Sequence, residues 1–284
     1  MKLIECPRDA MQGIKEFIPT ELKAEYINAL LKVGFDTIDF GSFVSPKAIP
    51  QLVDTAKVLK KLDLSSTQSK LLAIVANLRG AEDAFHFDEI KYLGFPFSIS
   101  ETFQQRNANS TIAESFIRVE EIQSLCLKHK KELVVYISMA FGNPYGDEWN
   151  TDIVLTWTKK LSELGINIIA LSDTIGVSDP NNINDLFSNI IPEFENVEIG
   201  AHLHSTREKA IEKIDAAFKS GCKRFDVAIH GFGGCPMAKE DLTGNLATED
   251  LESYFNKSNI DLNLNLSFLR DAYEKSWDIF NNYH

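Results

Sequence analysis

Short, unbroken apolar runs alternate with longer stretches of helical period along nearly the whole chain. The runs at residues 2–6, 37–40, 71–76, 96–99, 133–138, 168–171, 197–202 and 224–228 read as strands of a parallel sheet covered on both faces, which lack the polar alternation of a half-exposed sheet. Between them, residues 20–33, 111–130, 152–164 and 206–219 are amphipathic at helical spacing, and each is long enough to be the crossover that parallel pairing requires. Thr111 with Glu114 has the spacing of a capping box and marks one helix start. Eight such strand–helix units fit a closed barrel better than an open sheet with two edges. The predicted fold class is therefore α/β, a (β/α)8 TIM barrel with additional C-terminal helices. No linker rich in Pro, Gly or Ser divides the chain, so residues 1–284 read as one catalytic barrel domain, with 246–284 as a helical extension packing on it. Within that extension Phe268, Tyr273, Trp277 and Phe280 form an aromatic-rich face, which fits packing on the barrel or contact with a second copy.

Charge narrows the partners. The 29 Lys and Arg against 41 Asp and Glu leave a net charge of −12, which repels a phosphate backbone, so nucleic acid is not an expected partner. Glu5 and Asp9 interrupt the first residues before an apolar signal run forms, and no stretch approaches the roughly 18 apolar residues of a membrane span. The expectation is a soluble, cytoplasmic protein with no membrane association. Cysteines at 6, 126, 222 and 235 are too scattered for a disulfide framework or a CxxC zinc site and read as reduced thiols.

In such a barrel, chemistry belongs to the residues just after each strand. Those positions hold Arg8 and Asp9, Asp39, Asn77, Glu101, Ser138, Asp173, His202, His204 and His230. His202 and His204 are two apart on a strand, so both imidazoles point to one side, as two ligands of one cation must; the competing reading is one core histidine and one exposed. Asp9 adds a carboxylate, and the oxygen share of this set favours Mg or Mn over Zn. Arg8 reads either as a strand-end ion pair or as a fixed positive charge for an oxyanion. The densest glycine run, from Gly231 through Cys235 to Met237, makes Cys235 a candidate acid or nucleophile, whereas Cys6, Cys126 and Cys222 read as inert. Lys15, Lys47, Arg79 and Arg106 are singly solvated charges, yet together at one barrel mouth they suit a phosphate-bearing substrate.

The segments Pro7-Arg8-Asp9-Ala-Met-Gln12, Asp39 through Lys47 with Pro50-Gln51, Asn77-Leu-Arg-Gly80, Ser100-Glu-Thr-Phe103, Asp173-Thr-Ile-Gly-Val177, His202-Leu-His204, Gly233-Gly-Cys-Pro236 and Gly244 through Asp250 resemble the 3-hydroxy-3-methylglutaryl-CoA lyase family. The resemblance spans nearly the whole chain. Its Arg-Asp and His-X-His elements are shared by a wider superfamily of metal-dependent barrel lyases, while the Gly-Gly-Cys-Pro and Ser-Phe-Val-Ser-Pro-Lys segments resemble the lyase branch. The resemblance implies cleavage of 3-hydroxy-3-methylglutaryl-CoA to acetyl-CoA and acetoacetate, a step of leucine degradation. It further implies a divalent cation, Mg or Mn, held by Asp9, His202, His204 and Asn245, with Asp39 behind them. Arg8 and Cys235 would be catalytic, and Asp173 with His202 would relay the hydroxyl proton. Lys15, Ser42, Lys47, Asn77 and Arg79 are read as meeting the coenzyme A portion, and a homodimer is expected.

The chain departs from the family pattern around the glycine loop. Asp39 stands where Glu is more usual, Ser205 where Asp follows the second histidine, His230 where a small residue is common, and Met237 where an aromatic is common. These changes bear on the acyl group more than on the reaction. The alternatives are a lyase for a related 3-hydroxyacyl-CoA and a condensing acyltransferase of the isopropylmalate or homocitrate synthase type. A metal hydrolase would place its His-X-His after the first strand, and a catalytically silent barrel would bind no metal tightly.

Overall fold

The computed structural model describes residues 1–234 and 243–283. Cys235 and Met237 therefore lie outside the described residues. In chain order the elements are β1 (Lys2–Glu5), α1 (Pro7–Gln12), α2 (Thr20–Leu31), β2 (Thr37–Ser42), α3 (Thr55–Leu59), β3 (Lys70–Ile74), α4 (Leu78–Phe85), β4 (Ile90–Ser98), α5 (Glu101–Ala108), α6 (Ile112–Lys128) and β5 (Glu132–Ser138). They continue with α7 (Thr151–Glu163), β6 (Ile168–Asp173), α8 (Pro180–Glu193), β7 (Glu198–Ser205), α9 (Arg207–Lys219), β8 (Arg224–Val227), β9 (Gly244–Asn245), α10 (Thr248–Lys257) and α11 (Leu266–Phe280). Each of β1 to β7 pairs in parallel with its successor, and β8 closes on β1 through the register Lys2 to Arg224 and Glu5 to Val227. The closed parallel ring with helices outside it is the TIM barrel that the pattern predicts.

The strands differ from their predicted bounds where the interior demands it. β4 begins six residues earlier than the sequence reading, which began at 96, because Gly94 and Pro96 disguise a nine-residue strand. Gly94 has a steric reason: a Cβ there would lie 2.5 Å from Ile74 Cδ1 and 3.1 Å from Tyr136 Cε2. Thr111 caps α6 as expected, with its Oγ1 accepting from Glu114 N and its N–H donating to the Glu114 carboxylate.

Two apolar layers result. The larger lies between strands and helices, and a smaller one inside the barrel joins Leu72, Ile74, Tyr92, Val134, Tyr136, Ile168 and Ala170. These inward residues come from β3 to β6. On β2, β7 and β8 the inward positions instead carry Asp39, His202, Arg224 and Asp226, so the buried ionisable groups gather on one side of the barrel. The aromatic face of α11 packs on the barrel: Phe280 stacks on Phe232 at 4.2 Å, and the His230 ring lies 3.9 Å from Tyr273 and 4.0 Å from Trp277. Phe268 remains exposed.

Candidate metal centre and active site

The first strand ends directly in α1, whose Pro7 at the first helical position needs no hydrogen-bond partner for its nitrogen. That short helix turns Arg8 and Asp9 into the barrel mouth, where both are buried. Arg8 is committed almost fully. Its Nε faces both Asp39 oxygens at 3.2 and 3.0 Å, Nη2 meets Asp39 Oδ2 at 2.5 Å, and Nη1 donates to Asp9 Oδ1 and Gln12 Oε1, each at 2.9 Å. Of the five guanidinium protons, one on Nη2 is left without a partner among the described residues. Burial pushes the Asp39 carboxyl up to about 6 despite the guanidinium. Burial acts the same way on Asp9, but Arg8, the two imidazoles and the Asn245 amide together bring it down to about 2. Asp9 is therefore a carboxylate at neutral pH.

His202 and His204 do point to one side of β7, and with Asp9 they form a cluster whose ligand atoms all lie within 4.8 Å of one another. Each imidazole is oriented from behind. His202 Nδ1 meets Asp226 Oδ2 at 3.2 Å, and His204 Nδ1 meets the Thr174 carbonyl at 3.0 Å, which leaves Nε2 on each ring as the free nitrogen. The His204 Nε2 is buried with no partner among the described residues. An orphaned imidazole nitrogen beside a carboxylate and a second imidazole fits a divalent cation. Asn245, on β9, pairs across from His204, and its Nδ2 donates to Asp9 Oδ2 at 2.6 Å and to the Phe232 carbonyl at 2.8 Å. Its Oδ1 remains to complete a set of mixed nitrogen and oxygen donors. Burial and the neighbouring His202 depress His204 to about 4; burial opposes protonation of His202 too, yet Asp226 and Asp9 raise it.

Asp173 answers differently from its expected role. Its carboxylate accepts from Val177 N at 2.8 Å, Ser178 N at 3.0 Å, Ser178 Oγ and Lys213 Nζ at 2.9 Å. Four donors hold it, and the His202 ring turns to Asp226 instead, so the structure does not join Asp173 and His202 as a relay. His202 itself has one free nitrogen and can ligate or relay at a given moment, not both. Ser205 donates to the Thr206 carbonyl and contacts none of the cluster.

Beside the mouth, a cleft of about 460 Å³ is lined by Ser42, Phe43, Asn77, Arg79 and Phe87 among others. It unites three of the residues read as meeting coenzyme A. Lys15 and Lys47 are exposed and lie outside its lining, and Arg106 packs over the Tyr145 ring at 4.8 Å. The Asn77 carbonyl oxygen caps α4 through Gly80 N, which leaves its amide protons for a ligand. Glu101 ties α5 to α6 through Ile112 N. Cys6, Cys126 and Cys222 are buried free thiols, and burial pushes the latter two up to about 12. The sequence reading gave no role in the site to Gln12, Lys213, Asp226 or Glu5. Asp226 had a signal: Arg224 and Asp226 alternate with Phe225 and Val227, so two charged residues occupy the inward positions of a strand next to the histidines.

Comparisons with known proteins bear on the family and the fold. The HMGL-like family model matches residues 3–275. The mitochondrial hydroxymethylglutaryl-CoA lyase of Mus musculus is 34% identical over 275 residues, covering 96% of this chain and 83% of its own length. The cytoplasmic 3-hydroxy-3-methylglutaryl-CoA lyase of Danio rerio is 34% identical over 254 residues, 88% of this chain and 74% of its own. Among solved structures, the HMG-CoA lyase of Brucella melitensis superposes with a TM-score of 0.92 at 28% identity over 99% of both chains. An HMG-CoA lyase from Acinetobacter baumannii, in complex with coenzyme A and 3-methylmalate, superposes at 0.90 with 30% identity over 98% of this chain and 90% of that one.

Proposed function

This chain belongs to the HMGL-like family, and on that premise we propose that it is a metal-dependent carbon–carbon lyase cleaving 3-hydroxy-3-methylglutaryl-CoA to acetyl-CoA and acetoacetate. That reaction places it in leucine degradation. The observation that carries the reading is the buried Asp9–His202–His204 cluster with its orphaned His204 nitrogen, directly beside the guanidinium of Arg8.

Asp9, His202, His204 and Asn245 would hold the cation, and Mg or Mn suits their oxygen share. Bound there, a divalent cation would supply Lewis acidity that eases transfer of the substrate's tertiary hydroxyl proton to water at the barrel mouth. The chain's own residues do the rest. Asp226 and the Thr174 carbonyl hold the two imidazoles in one tautomer, and Gln12 with Arg8 fixes the Asp9 carboxylate. Cleavage leaves the electron pair of the broken C–C bond on the acetyl-CoA fragment as a thioester enolate. The Nη2 proton of Arg8 left over among the described residues would bond that oxygen, and a donor of this kind is worth about 3–4 kcal/mol. Asp39 keeps the guanidinium aimed, its shorter side chain meeting Arg8 directly. Cys235 is assigned the proton that quenches the enolate carbon, on the family resemblance alone. Asp173 is assigned to positioning, since its acceptor sites are filled.

Ser42, Asn77 and Arg79 in the neighbouring cleft are the residues of this chain for the coenzyme A portion, with Lys15 and Lys47 as outlying cations. No helix among the described residues is long and apolar enough to cross a membrane. The buried free thiols fit a reducing, cytoplasmic compartment, and a homodimer is part of the proposal. The reading is tested by measuring acetoacetate and acetyl-CoA released from 3-hydroxy-3-methylglutaryl-CoA by wild type and Cys235→Ala. The wild type is expected to form both products in equal amounts and the variant to lose most of the rate.

A further inference from the structure

Beneath the ligand cluster the barrel interior holds polar atoms that the proposed reaction leaves unused. Arg224 and Asp226 sit two apart on β8, each 1% exposed. Arg224 Nη1 donates to Glu198 Oε1 at 2.9 Å, and Glu198 also pairs with Lys2 at the N-terminal rim. At the other end Asp226 Oδ2 meets His202 Nδ1 at 3.2 Å. Charges thus alternate through Lys2, Glu198, Arg224 and Asp226 from the rim up to the His202 imidazole of the ligand cluster. The outer contacts are direct. The central one is not: among the described residues Arg224 Nε and Nη2 and Asp226 Oδ1 are buried without a partner, as are Tyr136 Oη and Ser172 Oγ on the inward side of β5 and β6.

The arginine is accommodated by design of the backbone, since a Cβ at Gly200 would lie 2.8 Å from Arg224 Cδ. A buried polar atom left unbonded costs about 1–3 kcal/mol, and native interiors meet such groups with ordered water that makes two to four hydrogen bonds. Water suits this place better than an anion, because Glu198 and Asp226 already balance the guanidinium.

We propose that Arg224, Asp226, Tyr136 and Ser172 enclose a buried water site beneath the metal ligands, and that Arg224, acting through it, is a positioning residue for the Asp226–His202 contact. The positioning role rests on the reading of His202 as a metal ligand; the water site does not. A crystal structure of the wild type, at a resolution that places ordered water, is expected to show water bonded to at least two of the five orphaned atoms. Direct closure of Arg224 on Asp226 with no water between them overturns the site. Calorimetric titration with Mn then tests the positioning, with Arg224→Met expected to bind about tenfold more weakly, the scale seen when the support of a ligand is lost. Thr111→Ala, at the start of α6 outside the barrel, is expected to bind as the wild type does. Wild-type affinity in folded Arg224→Met, or an equal loss in both variants, overturns the role. Should Arg224→Met not fold, Arg224→Gln, which keeps amide donors and drops the charge, is read by the same titration. A wild type that binds no Mn sinks the ligand reading, and the positioning role with it, and leaves the water site to the crystal structure.

Discussion

At the scale of single residues, the centre depends on partners as much as on ligands. The carboxylate, the imidazoles and the guanidinium were legible in the sequence because strand-end placement and a spacing of two declare themselves in one dimension. Asp226 carried a signal in the alternation of its strand that the reading passed over, whereas Lys213 carried none, because it acts across many residues, reaching from α9 to Asp173 and to the His204 carbonyl at 2.8 Å. Glycine gives the sharpest residue-level prediction. Gly233 has φ of 91°, and a Cβ there would lie 2.7 Å from the Asp9 carbonyl oxygen and 2.8 Å from Asn245 Nδ2. Gly233→Ala is therefore expected to push Asn245 off Asp9 and weaken Mn binding by tenfold or more, the range typical of disturbed ligand support. Calorimetric titration checks it, and unchanged affinity would show that Asn245 does not complete the ligand set.

Elements were legible where their ends carry chemistry. The α6 start was marked by Thr111 and Glu114, and both bonds of the capping box are present. Thr111→Ala is expected to lower unfolding free energy by about 1 kcal/mol in urea denaturation while leaving turnover unchanged, since the cap lies away from the ligand cluster. β4 was half hidden because the barrel interior requires glycine at 94, a packing demand invisible until the strands close. The α11 face illustrates a choice that pattern alone leaves open. His230, whose backbone takes the left-handed φ of 63°, is held between Tyr273 and Trp277, so a residue unusual for the family is absorbed by the aromatic helix beside it.

For the whole molecule, closure of the ring brings β1 beside β8 and places Glu5 against the segment that follows the last strand. Its carboxylate accepts from Ile229 N at 2.8 Å and Thr248 Oγ1 at 2.6 Å, and burial pushes its pKa from 4.5 to about 8. The native state therefore holds a proton that the unfolded chain releases, and the stability linked to it is full below about pH 4.5 and is lost as pH rises through about 8. Glu5→Gln, fixed in the neutral form, is expected to flatten this slope and gain on the order of 2 kcal/mol relative to wild type between pH 5 and 9, read by denaturation at each pH. The barrel, its closure and its site-bearing mouth were thus legible from periodicity, whereas the burial that sets this titration was not. The most direct measurement is acetoacetate release from 3-hydroxy-3-methylglutaryl-CoA by metal-stripped protein before and after adding Mg or Mn. The account predicts negligible release without the cation and full recovery with it, lost again in His204→Ala. Cleavage of equal rate in stripped protein, or none under either cation, would contradict it.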